Sequence, residues 1–410
     1  MVVCILDKTL LIISGGIESV PGIIRAKEMG LHVVVSDMNP NAPGFQYSDD
    51  KIIASTYNYK ETIRLAKHYH ENVKKIDGVL AIAADVPYTV ACVADEFNLP
   101  GLSLDTAELS SDKLKMKDKL DEKGIPIPKY WFVDSLYKFK RIVRDHGLPL
   151  IIKPVDSRGA RGVLLVAEQD MLEWAFEYSQ KQSPSSRVMI EEYIDGPQIS
   201  TEAIIIDGKG YPIGFTDRNY EFLHSFSPYI IENGGDMPSA LSQSAQMYVS
   251  ETAIKAGLAI GVVNGIVKGD MVLTKDGPMV IEVATRLSGG WFSTDQIPLS
   301  TGVDLVGAAI KQALGIPIDP KSLIPKYQKD VAIRYFFPKP GIVSNIINAN
   351  TFNGKDWLYR IGFFVKPGDA ISLVTDHTKR AGYVITSGKT KAEAIKYANT
   401  VVNTIEILTN

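Results

Sequence analysis

Hydrophobic and polar positions follow two regimes along this chain. In the first, continuous apolar runs alternate with helical spacing. Thr9 to Ile13 is an apolar strand set off by Asp7-Lys8 before it and Ser14-Gly15-Gly16 after it, as expected of a strand buried on both faces. Ser19 to Met29 predicts a helix with Pro21 in its first turn. Leu31 to Ser36 is the next strand, followed by Asp37 and a polar loop through Ser48, then a strand at Val79 to Ala83 and a helix at Thr89 to Phe97. Strand–helix alternation of this kind predicts an α/β, doubly wound parallel unit. In the second regime short strands dominate, separated by turn residues. Met271 to Thr274 and Met279 to Val283 are two of them, joined at Lys275-Asp276-Gly277-Pro278, a hairpin signal. Past Leu314 a linker with Pro317, Pro320 and Pro325 leads to β-like runs, to Arg380–Gly388, and to a helix from Lys391 to about Leu408.

Composition narrows the class. The 410 residues suffice for two or three domains, and a net charge of −3 points to neither nucleic acid nor an acidic membrane as partner. Cys4 and Cys92 stand far apart without CxxC spacing, so neither a zinc site nor a disulfide framework is indicated and a reducing cytoplasm is expected. The apolar start reads as strand and not as signal peptide, since the run at Leu10–Ile13 ends in Ser14-Gly15-Gly16 without a small-residue cleavage site. No apolar run approaches the roughly 18 residues of a membrane span.

Three segments carry chemistry. In the hairpin, Asp270 starts the first strand and Glu282 lies near the end of the second, so the two carboxylates come level. Paired carboxylates repel unless a cation sits between them, and oxygen-only ligation favours Mg²⁺ shared with phosphate. Arg286 follows by four residues, then Ser288-Gly289-Gly290 offers a flexible turn. Upstream, Ile151-Ile152-Lys153-Pro154 is a strand ending before Ser157-Arg158-Gly159-Ala160-Arg161-Gly162. Small residues there let backbone N–H groups cradle phosphate oxygens, with Lys153 as a point charge beside them. The lysine precedes the glycines and strands flank the loop, so this is not the GxxxxGK[ST] phosphate loop. Between the two lies Glu191-Glu192-Tyr193-Ile194, linking one strand to another that begins near Gln198. Acid and backbone groups on such an edge can recognise an adenine amino group, and Gln198 can reach ribose hydroxyls.

These three segments, in this order from about Asp112 to Gly290, resemble the ATP-grasp superfamily. In character the chain is similar to the branch that holds L-amino-acid ligases, carbamoyl-phosphate synthetases and biotin carboxylases. The resemblance implies an ATP-grasp fold: a doubly wound N-terminal domain (1–108), a two-lobed α+β ATP-grasp unit (109–314) with its lid at about 126–192, and an α+β C-terminal domain (315–410). It implies that Lys113 and Lys153 contact phosphate and that Ser157, Arg158, Gly159, Ala160 and Gly162 close over the triphosphate. Glu191 would meet the adenine amino group, the backbone of Glu192 and Ile194 the hinge edge, and Gln198 and Lys268 complete the nucleotide set. Asp270 and Glu282 would hold Mg²⁺, with Mn²⁺ as a substitute. Arg286 would hold the acceptor carboxylate or the developing phosphoryl charge, and Arg218, in the Asp217-Arg218 segment, would face the acceptor with Lys153 and Arg286 as the catalytic cations. The leading domain of such enzymes binds no NAD, and Ser14-Gly15-Gly16 with Asp37 lacks GxGxxG spacing, so a structural or substrate-side role is expected there.

Two positions depart from the family pattern. Gln198 stands where glutamate is usual, and Ala284 where asparagine would give an oxygen to a second Mg²⁺. The expected activity is an ATP-dependent carboxylate–amine ligase working through an acyl phosphate on small-molecule carboxylate and amine substrates, with room for a homodimer. The alternatives are a bicarbonate-activating carboxylase or carbamoyl-phosphate-type subunit and, because of Ala284, an ATP-binding regulatory protein without turnover.

Overall fold

The computed structural model describes residues 7–410; Cys4 and the apolar start at Met1–Leu6 lie outside the described residues. The N-terminal part is a four-stranded parallel sheet of β1 (Thr9–Ile13), β2 (His32–Asp37), β3 (Asp50–Ile53) and β4 (Gly78–Ala81), ordered β3-β2-β1-β4. Its helices are α1 (Val20–Glu28), α2 (Tyr59–Asn72) and α3 (Pro87–Glu96), with α4 (Leu104–Ser111) and α5 (Lys113–Glu122) leading out. Period two along β1 sends Leu10 and Ile12 into one core and Leu11 and Ile13 into another, which is why the run reads as uninterrupted apolar. The expected helix at 19–29 is narrower: a 3₁₀ turn at Ile17–Ser19 precedes α1.

The lid is an antiparallel sheet of β5 (Tyr130–Val133), β6 (Leu150–Pro154), β7 (Leu164–Val166) and β8 (Val188–Glu192), ordered β5-β8-β6-β7. Helices α6 (Leu136–His146) and α7 (Leu172–Lys181) accompany it. Leu150, Ile152, Val188 and Ile190 pack with Phe139, Ile142 and Phe176 of those helices in a core of the lid's own. The alternate residues Ile151, Lys153 and Glu191 line a cavity on the other face.

The base is built from β9 (Gln198–Ile206), β10 (Lys209–Arg218), β11 (Gly235–Met237), α8 (Gln243–Ala259), β12 (Gly265–Thr274) and β13 (Gly277–Ala284), then α9 (Ile297–Thr301) and α10 (Leu305–Ala313). The remainder holds β14 (Asp330–Phe336), β15 (Gly341–Ile347), β16 (Leu358–Phe363), β17 (Ala370–Ile371), β18 (Gly382–Gly388), α11 (Lys391–Thr404) and β19 (Glu406–Thr409). One eight-stranded sheet, ordered β13-β12-β9-β10-β11-β14-β18-β16, runs through both portions without a break at residue 314. The molecule is thus α/β with the two-lobed architecture expected.

Three local expectations are corrected. Asp270 is the sixth residue of β12 and does not start it, because Gly265 to Gly269 already pair with β9. The hairpin turn is Lys275-Asp276 alone, since Gly277 pairs with Thr274 and opens β13. The C-terminal helix stops at Thr404, and Glu406–Thr409 is a strand pairing with β15. Ile405, Ile407 and Leu408 satisfy either period over so short a run, and the sheet edge decides it.

Candidate active site

A cavity of about 800 Å³ lies between lid and base, and its wall includes the carboxyl ends of β1 and β4. Those two strands flank the point where strand order reverses, the usual ligand crevice of an open parallel sheet. Ser14 and Gly16 follow β1 there, and Asp85 follows β4.

At the lid end, Asp112 caps α5 by accepting from the backbone N–H groups of Leu114 and Lys115, and so fixes the helix that carries Lys113. The Lys113 ammonium donates to the Ser157 carbonyl at 2.7 Å and lies 3.2 Å from Glu282. Lys153 pairs with Glu191 at 2.7 Å. The Glu191 carboxylate is shared: its other oxygen lies 3.1 Å from Lys117. Burial favours the protonated form of Glu191, but the two ammonium groups outweigh it and hold its pKa below the ordinary value. Gly159, Ala160 and Gly162 all have positive φ, and a Cβ on Gly162 would stand 2.7 Å from Pro154, so the loop's tight fold requires glycine there. Arg158 turns toward the N-terminal part, 3.6 Å from Asp85 and over the Tyr57 ring, while Arg161 donates to the Arg158 carbonyl.

On the base, Asp270 and Glu282 are direct cross-strand partners. Lys268, Asp270, Glu282 and Ala284 all face the cavity, as do Gln198 and Ser200 of β9 and Thr216 and Arg218 of β10. Arg218 joins Asp270 at 2.9 Å to Glu232 at 2.6 Å, and Ser200 and Lys268 also hold Asp270. Burial opposes ionisation of Asp270, yet Arg218 and Lys268 keep its carboxyl far below the usual range. Glu192 and Ile194 line the wall beside Gln198, within the segment joining β8 to β9.

A third group adjoins the Ser157–Gly162 loop. Arg286 Nε and Asp85 Oδ1 lie 3.7 Å apart, and neither atom has a hydrogen-bond partner among the described residues. Glu18 accepts from the Gly290 N–H at 2.8 Å; burial raises its pKa, against the pull of that N–H, Arg380 and Arg286. The Arg380 guanidinium lies 3.7 Å from the Tyr335 ring centroid and donates to the Glu232 carbonyl. Burial, with Arg380 and Arg218 nearby, pushes His377 well below its ordinary pKa and keeps the ring neutral. Glu18, Asp85, Lys117, Glu232, His377 and Arg380 were not singled out by the sequence. Lys117 alone had a local signal, standing one helical turn after Lys113 on the same face.

The carboxylate pair suits a magnesium ion brought with nucleotide. Mg²⁺ commonly takes one or two carboxylates and completes its octahedron with phosphate oxygens and water. Among the described residues no group of three or more His, Cys, Asp or Glu is placed to hold a metal alone, and the nearby cations already balance Asp270 and Glu282. Ala284 stands directly across from Lys268.

A small antiparallel lid bearing Lys153, above a hairpin bearing two carboxylates, is the arrangement of the ATP-grasp class. The ATP-grasp domain family matches residues 110–290, and this part of the chain is an ATP-grasp domain. Residues 334–410 match the L-amino acid ligase C-terminal domain 2. The chain is similar to the "uncharacterized protein y4rH" of Sinorhizobium fredii, at 24% identity over 81% of this chain and 68% of that one. It is 28% identical to a D-alanine–D-alanine ligase of an Azoarcus species over 56% of this chain and 69% of that one. The crystal structure of an L-amino acid ligase from Bacillus licheniformis superposes with a TM-score of 0.82 at 21% identity, covering 98% of this chain and 99% of the other. Among the described residues no helix is long and apolar enough to cross a membrane.

Proposed function

We propose that the chain is an ATP-dependent carboxylate–amine ligase whose substrates resemble amino acids. The observation that carries this is one cavity lined by lysines suited to phosphate and, adjoining them, by groups of both signs. Arg286 and Arg380 stand there beside Glu18 and Asp85, a pattern suited to a small molecule bearing both carboxylate and ammonium. The C-terminal match to L-amino acid ligases supports this over a bicarbonate-activating carboxylase.

In this reading a carboxylate oxygen of the first substrate attacks the γ-phosphorus of ATP, the bond to ADP breaks, and an acyl phosphate forms. The amine nitrogen of the second substrate then attacks the acyl carbon, loses a proton, and expels phosphate. Lys113 and Lys153 neutralise phosphate, and the amides of Ser157–Gly162 close over it. Arg286 positions the carboxylate for attack. Bound Mg²⁺ would supply further charge neutralisation at the phosphates, held by Asp270 and Glu282. Catalysis of this kind is positioning and electrostatics, with no protein nucleophile. Closing the lid excludes water from an intermediate that water would hydrolyse. ATP dependence and the free, buried Cys92 support a cytoplasmic setting.

The test is ADP and phosphate release with Mg·ATP across paired amino acids, with mass spectrometry of the products. Expected is a condensed product formed with one ADP per bond. Nucleotide turnover with bicarbonate and no amino acid would overturn the reading.

A further inference from the structure

Lys117 lies one turn beyond Lys113 on α5, yet it is absent from the cavity wall that Lys153 and Glu191 help to form. Its side chain is 1% exposed. Its ammonium touches Glu191 at 3.1 Å and donates to the Val280 carbonyl at 3.0 Å. An ammonium buried this fully costs several kcal/mol unless its partners offset it, so a lysine that touches no ligand calls for a reason.

Charge counting supplies one. Lys153 and Glu191 by themselves form a neutral pair and present no net charge to a polyphosphate. Lys117 makes the group two ammonium ions around one carboxylate, a net charge of about +1 at the cavity wall. It also takes one of the two Glu191 oxygens, so that Lys153 has only the other to turn toward. We propose that Lys117 is a positioning residue that balances the Glu191 charge from behind and thereby leaves the Lys153 charge available to the nucleotide phosphates. The same contacts join β8 of the lid to β13 of the base through α5, as those of Lys113 join the Ser157 carbonyl to Glu282. The inference rests on the ATP reading above and concerns how that site is charged.

The environment gives it a pH signature. Glu191 faces Lys117 from β8, Lys153 from β6 and Glu282 from β13, and burial, reinforced by Lys153, brings Lys117 down to about 8 despite the two carboxylates. Above that pH the group loses its surplus charge.

Affinity for Mg·AMP-PNP, with KM and kcat for ATP, measured in wild type, Lys117→Met, Lys117→Arg and the double variant Lys117→Met/Glu191→Gln at about pH 7 and about pH 9 tests this. Lys117→Met is expected to weaken nucleotide roughly tenfold to a hundredfold at both pH values while the KM of the amine substrate stays within about twofold. Wild type loses several-fold between the two pH values, and Lys117→Arg, charged throughout, does not. The double variant recovers most of the affinity, since residue 191 no longer holds Lys153 while its amide oxygen still accepts from an adenine amino group; a merely misfolded Lys117→Met would not be rescued in this way. Wild-type affinity in Lys117→Met, or a double variant as weak as the single one, overturns the proposal while leaving ATP binding intact. A wild type that binds no nucleotide overturns the ATP reading itself and this inference with it.

Discussion

The backbone N–H of His377, from the loop before β18, donates to the carbonyl of Gly159 in the phosphate loop at 3.0 Å. Thr378 packs against the same glycine, and Arg380 a little further on donates to the Glu232 carbonyl. The loop that would cover the nucleotide is therefore tied to the C-terminal part of the chain, which also lines the cavity.

That tie can be cut without removing its neighbours. Asp376 before it is extended, a conformation a following proline favours, and His377 opens a 3₁₀ turn where proline is tolerated. His377→Pro should raise the KM for ATP about fivefold, the value of one hydrogen bond of about 1 kcal/mol. His377→Ala, which keeps the N–H, controls for loss of the imidazole. Equal KM in the proline and alanine variants would show that the bond does not hold the loop.

Asp270 and Glu282 should bind Mg²⁺ only with nucleotide. Adding Mg²⁺ alone should leave the melting temperature unchanged, whereas Mg²⁺ with ADP or AMP-PNP should raise it by mass action. Glu282→Gln keeps the shape and loses the charge, so turnover should fall about a hundredfold or more while the apo melting temperature stays near wild type. Near-normal turnover in that variant would make the hairpin structural.

Much of this arrangement was legible in the sequence, for identifiable reasons. The Asp270–Glu282 pairing follows from a short turn between two alternating strands, and Lys153 from the strand that ends at Pro154. Of Lys113, Lys115, Lys117 and Lys119, the first and third share one side of a helix and the second and fourth the other, and the run alone does not say which side is buried. Only the packing of α5 against β8 and β13 buries the third of these lysines. Glu18, Asp85, His377 and Arg380 each sit in a loop of ordinary charge, and the topology alone converges them. The reversal of strand order beside β1 and β4 is the signal that could have found Glu18 and Asp85, and it needs the sheet order, which the chain does not state locally.

A buried carboxyl on the base makes stability fall as pH rises. Glu202 is fully buried on β9, accepting from Ser288 N–H and Ser293 Oγ. Burial pushes its pKa from 4.5 to about 7, against those hydrogen bonds and the nearby cations Arg286 and Lys268. Between these values the folded state holds a proton that the unfolded state has released. Stability therefore declines with rising pH across that window, by about 3 kcal/mol in all, and stays at the lower level above it. Glu202→Gln should remove this slope and melt higher than wild type at about pH 8. Chemical denaturation at several pH values measures it; an unchanged slope in the variant would assign the dependence to other groups.

Ala284 separates a ligase from a nucleotide-binding module that does not turn over. It faces the cavity, across from Lys268, in the position where the family usually places an asparagine oxygen for a second metal. In a ligase, that metal must find its oxygen elsewhere, most simply from water. Ala284→Asn would then exchange one ordered water for a side-chain oxygen, replacing the water's contact and regaining its immobilisation entropy of about 0–2 kcal/mol, and turnover should be unchanged or rise a few-fold. Lys268 opposite can donate to the new amide oxygen and compete for it, which limits the gain. ADP formation by wild type and Ala284→Asn, across carboxylates, amines and bicarbonate, decides the matter. Wild-type turnover with any substrate pair removes the regulatory alternative. Tight nucleotide binding with no turnover by wild type, and turnover gained only by Ala284→Asn, would instead mark a chain that kept the ATP-grasp fold and lost its chemistry at this one position.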